Sequence, residues 1–170
     1  MKRKGLLALT GCDPKRFEVL QARDQLPIVN LGRWTDYTLR DALAVRLTLD
    51  LIGGEGDEPD KLGGVPPAYA HKVVSNGLRY ARDFETLGGL ISGRVLLGGA
   101  IFQSHTEDLR FSRWFAGPVE SLGPWLAEIG REENAAPVRI MLVNAGRAAN
   151  EICLAAAELG IAGDPGREPL

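Results

Sequence analysis

Cysteine is nearly missing. The chain has two, Cys12 and Cys153, in 170 residues. They fit no CxxC spacing and no disulfide framework, so a reducing, cytoplasmic setting is expected. Histidine is equally sparse, with only His71 and His105, and no metal-ligand spacing is visible. No stretch approaches the roughly 20 apolar residues that span a bilayer. The opening MKRKGLLALTG is basic and then apolar, but its apolar part is too short for the core of a signal peptide. No GxGxxG or GKS/T motif and no internal repeat occurs. No strong net charge exists either: the formal value is -2, which argues against a wholly basic nucleic-acid coat.

What is present is unevenly distributed. Residues 1–50 hold nine Lys/Arg and six Asp/Glu, whereas the rest of the chain has an acidic excess. A basic head on an acidic body suggests local anion binding.

Residues 4–10 (KGLLALT) read as a short helix ended by Gly11. Asp13 is an N-cap, and Pro14 suits the first helical position of a second helix reaching about Ala22. Phe17 and Leu20, with Val19 beside them, form its expected inner face; Lys15 and Arg16 are expected to face out. The connection of about three residues is that of a helix-turn-helix. Residues 25–36 (QLPIVNLGRWTD) are broken by Pro27, Asn30 and Gly32, and read as a small hairpin, or wing, carrying Arg33 and Trp34. Thr38 and Asp41 form a capping box for a helix over 38–52 with a wide apolar face, on which Arg46 and Asp50 make an i,i+4 pair. An acidic, Gly-rich loop follows at 53–64, then a short helix at 66–75. Residues 78–87 read as a further helical turn or a connector, and Gly88-Gly89 as a boundary.

The remainder reads β-β-α-β-α. Strands are expected over 94–103, with a Gly-Gly bulge or bend, and 109–115; a helix over 122–129; a central strand over 137–144; and a helix over 145–159 with Ala145, Ala149, Ile152, Ala156 and Leu159 on one face. The tail 163–170 reads as frayed. The fold class is α+β, with one domain at 1–87 and a second at 88–170.

LLALTGCDPKRFEVLQARDQLP and WTDYTLRDALAVRLTLDLI together resemble the winged-helix DNA-binding domain of the MerR family over residues 4–76. The first segment resembles the family's helix, turn and recognition helix; the second resembles the helix that follows the wing. The family's long dimerisation helix has no counterpart after residue 80, so the resemblance implies a compact regulator of phage or prophage type. It implies a recognition helix at 13–23 and a wing at 25–36.

A helix fits the B-DNA major groove, with its N-terminal residues at base edges. The expected DNA contacts are Lys15 and Arg16 at that end, Arg23 near the helix end, Arg33 on the wing, and Tyr37 and Arg40 at the start of the following helix. Each has a simpler alternative, a solvated surface or, for Tyr37, packing. Lys2, Arg3 and Lys4 would add non-specific charge. Trp34 reads as a plug under the wing and Cys12 as a core residue. The run QSHTEDLR, with Ser104, His105 and Asp108, places its polar groups too close in sequence to converge as a triad. VNAGRAANE, a strand-to-helix turn, is a weaker small-ligand candidate.

The leading expectation is therefore a cytoplasmic, non-enzymatic, sequence-specific transcription regulator. It would bind double-stranded DNA as a homodimer, with no cofactor, no metal and no membrane. Residues 88–170 would serve dimerisation, a protein partner or an effector. The alternatives are an excisionase-like recombination accessory factor, a protein-interaction module, or a small ligand-binding or enzymatic unit over residues 90–162.

Overall fold

A computed structural model describes residues 1–28, 36–53 and 64–161. The expected wing at 25–36 and the acidic loop lie mostly outside these residues, as do Arg33, Trp34 and the tail. The class is α+β: the described residues form seven α-helices and a three-stranded antiparallel sheet.

The first two helices are α1 (Arg3–Thr10) and α2 (Pro14–Ala22). Gly11 closes α1 at φ 63°, a left-handed conformation that glycine adopts without strain. The Asp13 carboxylate then accepts from the Arg16 N–H at 3.0 Å, a cap worth about 1 kcal/mol. Phe17 and Leu20 are buried as expected, but Val19 is 49% exposed. It lies two residues from Phe17, about 200° round the helix, and so points away from the core.

Helix α3 (Leu39–Ile52) opens on the full Thr38/Asp41 capping box and buries Leu43, Leu47 and Leu51. Helix α4 (Pro67–Tyr80) runs beyond the expected end at Ser75, because Val74, Gly77 and Leu78 continue its buried stripe. A 3-10 turn at Arg82–Phe84 leads to α5 (Leu87–Ser92). The expected boundary glycines, Gly88 and Gly89, lie inside α5. Leu87 and Leu90 flank them and are fully buried, which holds that turn of helix in the core.

Strands β1 (Val95–Ser104) and β2 (Arg110–Pro118), helix α6 (Leu122–Glu132), strand β3 (Ala135–Asn144) and helix α7 (Ala145–Glu158) complete the chain. The strand order is β2-β1-β3. The 137–144 run was expected to be central; it belongs instead to an edge strand, with Val138 52% and Ile140 41% exposed. Pro137 offers no N–H for a second ladder, a property that suits an edge. The central strand is β1, and its glycines explain why. A Cβ on Gly98 would overlap the Met141 carbonyl, and one on Gly99 would overlap the Tyr69 hydroxyl and sit 2.7 Å from the Arg113 carbonyl. They permit close approach rather than bending the strand. Pairing stays regular through both, and the irregularity falls at Ile101/Phe102.

One sheet face, through Val95 and Leu97, packs on a core shared with helices α1 to α5 and α7. That core draws on residues both before and after position 87. The other face, through Ala100 and Phe102, is covered by Trp125, Leu126 and Ile129 of α6. Phe102 stacks on Phe111 at 5.5 Å, and Trp125 lies edge-on to Phe102. In α7, Ala145, Ala149, Ile152 and Ala156 are buried as expected, but Leu159 is half exposed. It follows the last helical residue and leaves the stripe. A Cβ on Gly146 would sit 2.7 Å from the Leu90 carbonyl, so α7 meets α5 closely at this position.

Candidate nucleic-acid interface

Helix α2 has a pinned side and an open side. Phe17 is fully buried and meets Tyr37 edge-on at 6.2 Å, while Leu20 packs in the same core. With that side fixed, the 3.6-residue period turns Lys15, Val19 and Arg23 outward in one row. All three are exposed. No hydrogen bond or ion pair joins the side chain of Lys15 or Arg23 to another described residue. Glu18, beside the row, is held by Arg3 at 2.9 Å, and the Arg3 guanidinium lies 5.2 Å from the Phe17 ring centre. Beyond the helix, His71 Nδ1 lies 2.8 Å from the Asp24 carbonyl oxygen, linking α4 to the chain leaving α2.

The other expected contacts are placed differently. Arg16 is half-buried rather than outward, and its Nη2 donates to the Gly53 carbonyl at 2.7 Å. It directly follows Lys15, and that one step along the helix rotates it about 100° towards the end of α3. The Tyr37 ring is buried, 6% exposed; packing against Phe17 is the role it has here. Arg40 Nη2 donates to the Leu78 carbonyl at 2.6 Å, meeting one of the last-turn carbonyls that α4 leaves without a helical partner. Lys2 pairs with Asp36 at 2.9 Å, so with Arg3 on Glu18 the basic N-terminal run is partly neutralised. Arg33 lies outside the described residues.

Two features were missed. The exposure of Val19 was hidden because an apolar residue beside Phe17 and Leu20 reads as core. The second is a cleft of about 500 Å³ between the α1–α2 turn, the end of α3 and the β3–α7 junction, lined by Arg16, Arg46, Asp50, Asn144 and Arg147. Its signals were present separately, as the Arg46/Asp50 spacing and the VNAGRAANE turn, but nothing local joins them. Arg46 binds both Asp50 at 3.0 Å and Glu151 at 2.8 Å, and Arg147 also reaches Glu151 at 2.8 Å.

Burial pushes the Asp50 carboxyl above its ordinary value of 3.8, against the lowering effect of Arg46 and Arg147 and with a smaller upward push from Glu151. A carboxyl raised in the folded state holds its proton more tightly there than in the unfolded chain. Its contribution to stability is therefore present below the ordinary value and is lost as pH rises through the folded one. Asp50→Asn should flatten the stability–pH profile just above pH 3.8, as read by urea midpoints; an unchanged slope there would contradict the assignment.

Ser104 Oγ accepts from the N–H groups of Thr106 and Glu107 within its own turn. Cys12 is buried, and burial raises its thiol pKa. Among the described residues, no group of three His, Cys, Asp or Glu is placed to hold a metal, and no helix is long and apolar enough to cross a membrane. No family model, curated protein or solved structure matches the chain.

Proposed function

We infer that the protein is a sequence-specific DNA-binding regulator, with α2 as the recognition helix of a MerR-like head. The observation that carries this reading is the exposed row Lys15, Val19 and Arg23 on a short helix whose opposite side is fixed in the core. Two cations flanking an apolar side chain suit a groove. Lysine and arginine meet phosphates or guanine edges, and an aliphatic group meets a thymine methyl. The helix is pre-oriented by the Asp13 cap, the tight turn at Gly11 and the Phe17 anchor, so docking costs it little order. Arg33 belongs to the wing in this reading. A cytoplasmic homodimer on double-stranded DNA follows, because one short helix reads only a few base pairs. The role is one of docking, with no catalytic step.

The test is genomic-fragment selection on the purified chain, followed by titration of the enriched site at two salt concentrations. The expected result is a defined motif and an affinity that falls steeply with salt. Lys15→Ala and Arg23→Ala should each weaken binding, and each lost phosphate contact should reduce the log–log salt slope by about 1. Motif-free binding that ignores both substitutions would overturn the reading and favour a protein-interaction module.

A further inference from the structure

We propose that the free edge of β2 is the surface through which two copies of this chain pair, antiparallel and about a two-fold axis near Trp114. The inference gives the homodimer of the DNA reading its interface, and rests on that reading for the meeting of two copies; the choice of edge comes from the sheet itself.

The two edges of the sheet differ. β3 is blunted: Pro137 removes an N–H, and the ladder to β1 is irregular at Ile101/Phe102. Both devices keep a sheet edge from pairing. β2 has neither. Its register with β1 runs unbroken from Val95↔Pro118 to Gln103↔Arg110, and its proline is the last residue. Its mid-strand charge, Arg113, is neutralised by Glu133. The Ser104 N–H donates to the Leu109 carbonyl at 3.0 Å on the β2 side, and the His105 N–H to the Asn134 carbonyl at 2.9 Å on the β3 side. Bonded and non-bonded pairs alternate along an antiparallel ladder. Phe111, Arg113 and Phe115 therefore bond to β1, and the main-chain groups of Ser112, Trp114 and Ala116 point outward. Among the described residues no strand pairs with this edge; the Ser112 carbonyl takes a long bond, 3.3 Å, from Arg113 Nη1.

A recess of about 540 Å³ lies along this edge, lined by Trp114, Ala116, Pro124, Trp125 and Glu128. Trp114 and Ala116 pack on the core shared with the helices before β1, whereas the Phe115 and Trp125 rings meet at 5.1 Å on the α6 side. The recess thus wraps round the strand and opens on both faces of the sheet. An added strand sets its side chains alternately on the two faces, and such a recess accepts them. Charge selects the occupant. Arg110 opens β2, and Glu120 lies two residues beyond its end. Glu120 is exposed and makes no hydrogen bond or ion pair with a described residue; Arg110 donates to Gln103 Oε1 at 2.8 Å and has no carboxylate partner among them. A two-fold antiparallel pair carries Arg110 of each copy to the Glu120 end of the other. The match is self-complementary, as an isologous interface requires, and this commits the edge to a second copy.

Sedimentation equilibrium of the full chain, without DNA and over a concentration series, tests this. Association to a dimer is expected. Arg110→Glu sets two carboxylates together at each end of the contact, and Glu120→Arg sets two guanidinium groups together; each should raise Kd about tenfold. Both positions are exposed, and far-UV circular dichroism checks that each variant is folded. The double variant, and an equimolar mixture of the two single variants, should recover association, because each restores opposite charges across the pair. Val138→Arg on the β3 edge, at a position 52% exposed, should change nothing. A chain that stays monomeric, single variants that associate as the parent does, charge reversals that the double variant and the mixture fail to rescue, or association lost through Val138→Arg overturns the proposal. A monomer that still selects a DNA motif overturns the interface and leaves the DNA reading. A dimer that obeys the charge swap but binds no DNA keeps the interface and removes that reading.

Discussion

Phe17→Ala should cost about 3–5 kcal/mol of folding stability, the usual range for truncating a buried phenylalanine. Phe17 is fully buried at the centre of the contact between α2 and the rest of the core. Its ring meets Tyr37 edge-on and lies under the Arg3 guanidinium. Truncation opens a cavity beneath α2 and frees Arg3, whose bond to Glu18 also braces this helix. Val19→Ala, two residues away, should change stability by no more than about 0.5 kcal/mol, because its side chain faces solvent. Urea denaturation of the two variants, followed by far-UV circular dichroism, makes the comparison. Equal losses would show that α2 is not seated by this face, and the outward row on which the DNA reading depends would then be misplaced. If Val19→Ala keeps its stability but loses DNA affinity, the same pair of variants separates anchoring from recognition.

Gly98→Ala should be at least as damaging as many core truncations, although it adds only one methyl group. Overpacking costs about 1–3 kcal/mol where side chains can adjust. Here the obstacle is the backbone of β3: the added Cβ would overlap the Met141 carbonyl and come within 2.9 Å of Leu142 Cα. The strands would have to separate at the middle of their ladder. A cost at the top of the range, about 3 kcal/mol, is expected, together with weakened protection of the β1–β3 amides in hydrogen exchange. Gly123→Ala in α6 is the matched control. Nothing lies within 4 Å of its added Cβ, so helix propensity should dominate and stability should rise by roughly 0.5–1 kcal/mol. A neutral Gly98→Ala would mean that β1 and β3 are not as closely paired as described.

The local elements are written in short stretches of sequence. The Gly11 stop, the Asp13 cap and Pro14 located α1 and α2; Thr38 and Asp41 located α3; and hydrophobic periodicity gave the β-β-α-β-α order of the second half. These signals act over a few residues, through the backbone's own hydrogen bonds and through side chains three or four positions apart, so they can be read without a partner. The α+β class follows from them. Which partner each element meets is set by long-range packing. An apolar run at 137–144 suits a buried strand wherever it sits, and only the close approach allowed by Gly98 and Gly99 puts β1 at the centre. Gly88 and Gly89 read as a break until Leu87 and Leu90 are seen in the core. Lys15 and Arg16 are equivalent as basic residues on one helical turn, yet only Lys15 reaches open solvent, because the end of α3 stands beside Arg16. The cleft depends on this most of all. Arg16, Arg46 and Arg147 are separated by tens of residues and are brought together by packing of α2, α3 and α7 around a shared core, a long-range consequence of burial that no local pattern encodes.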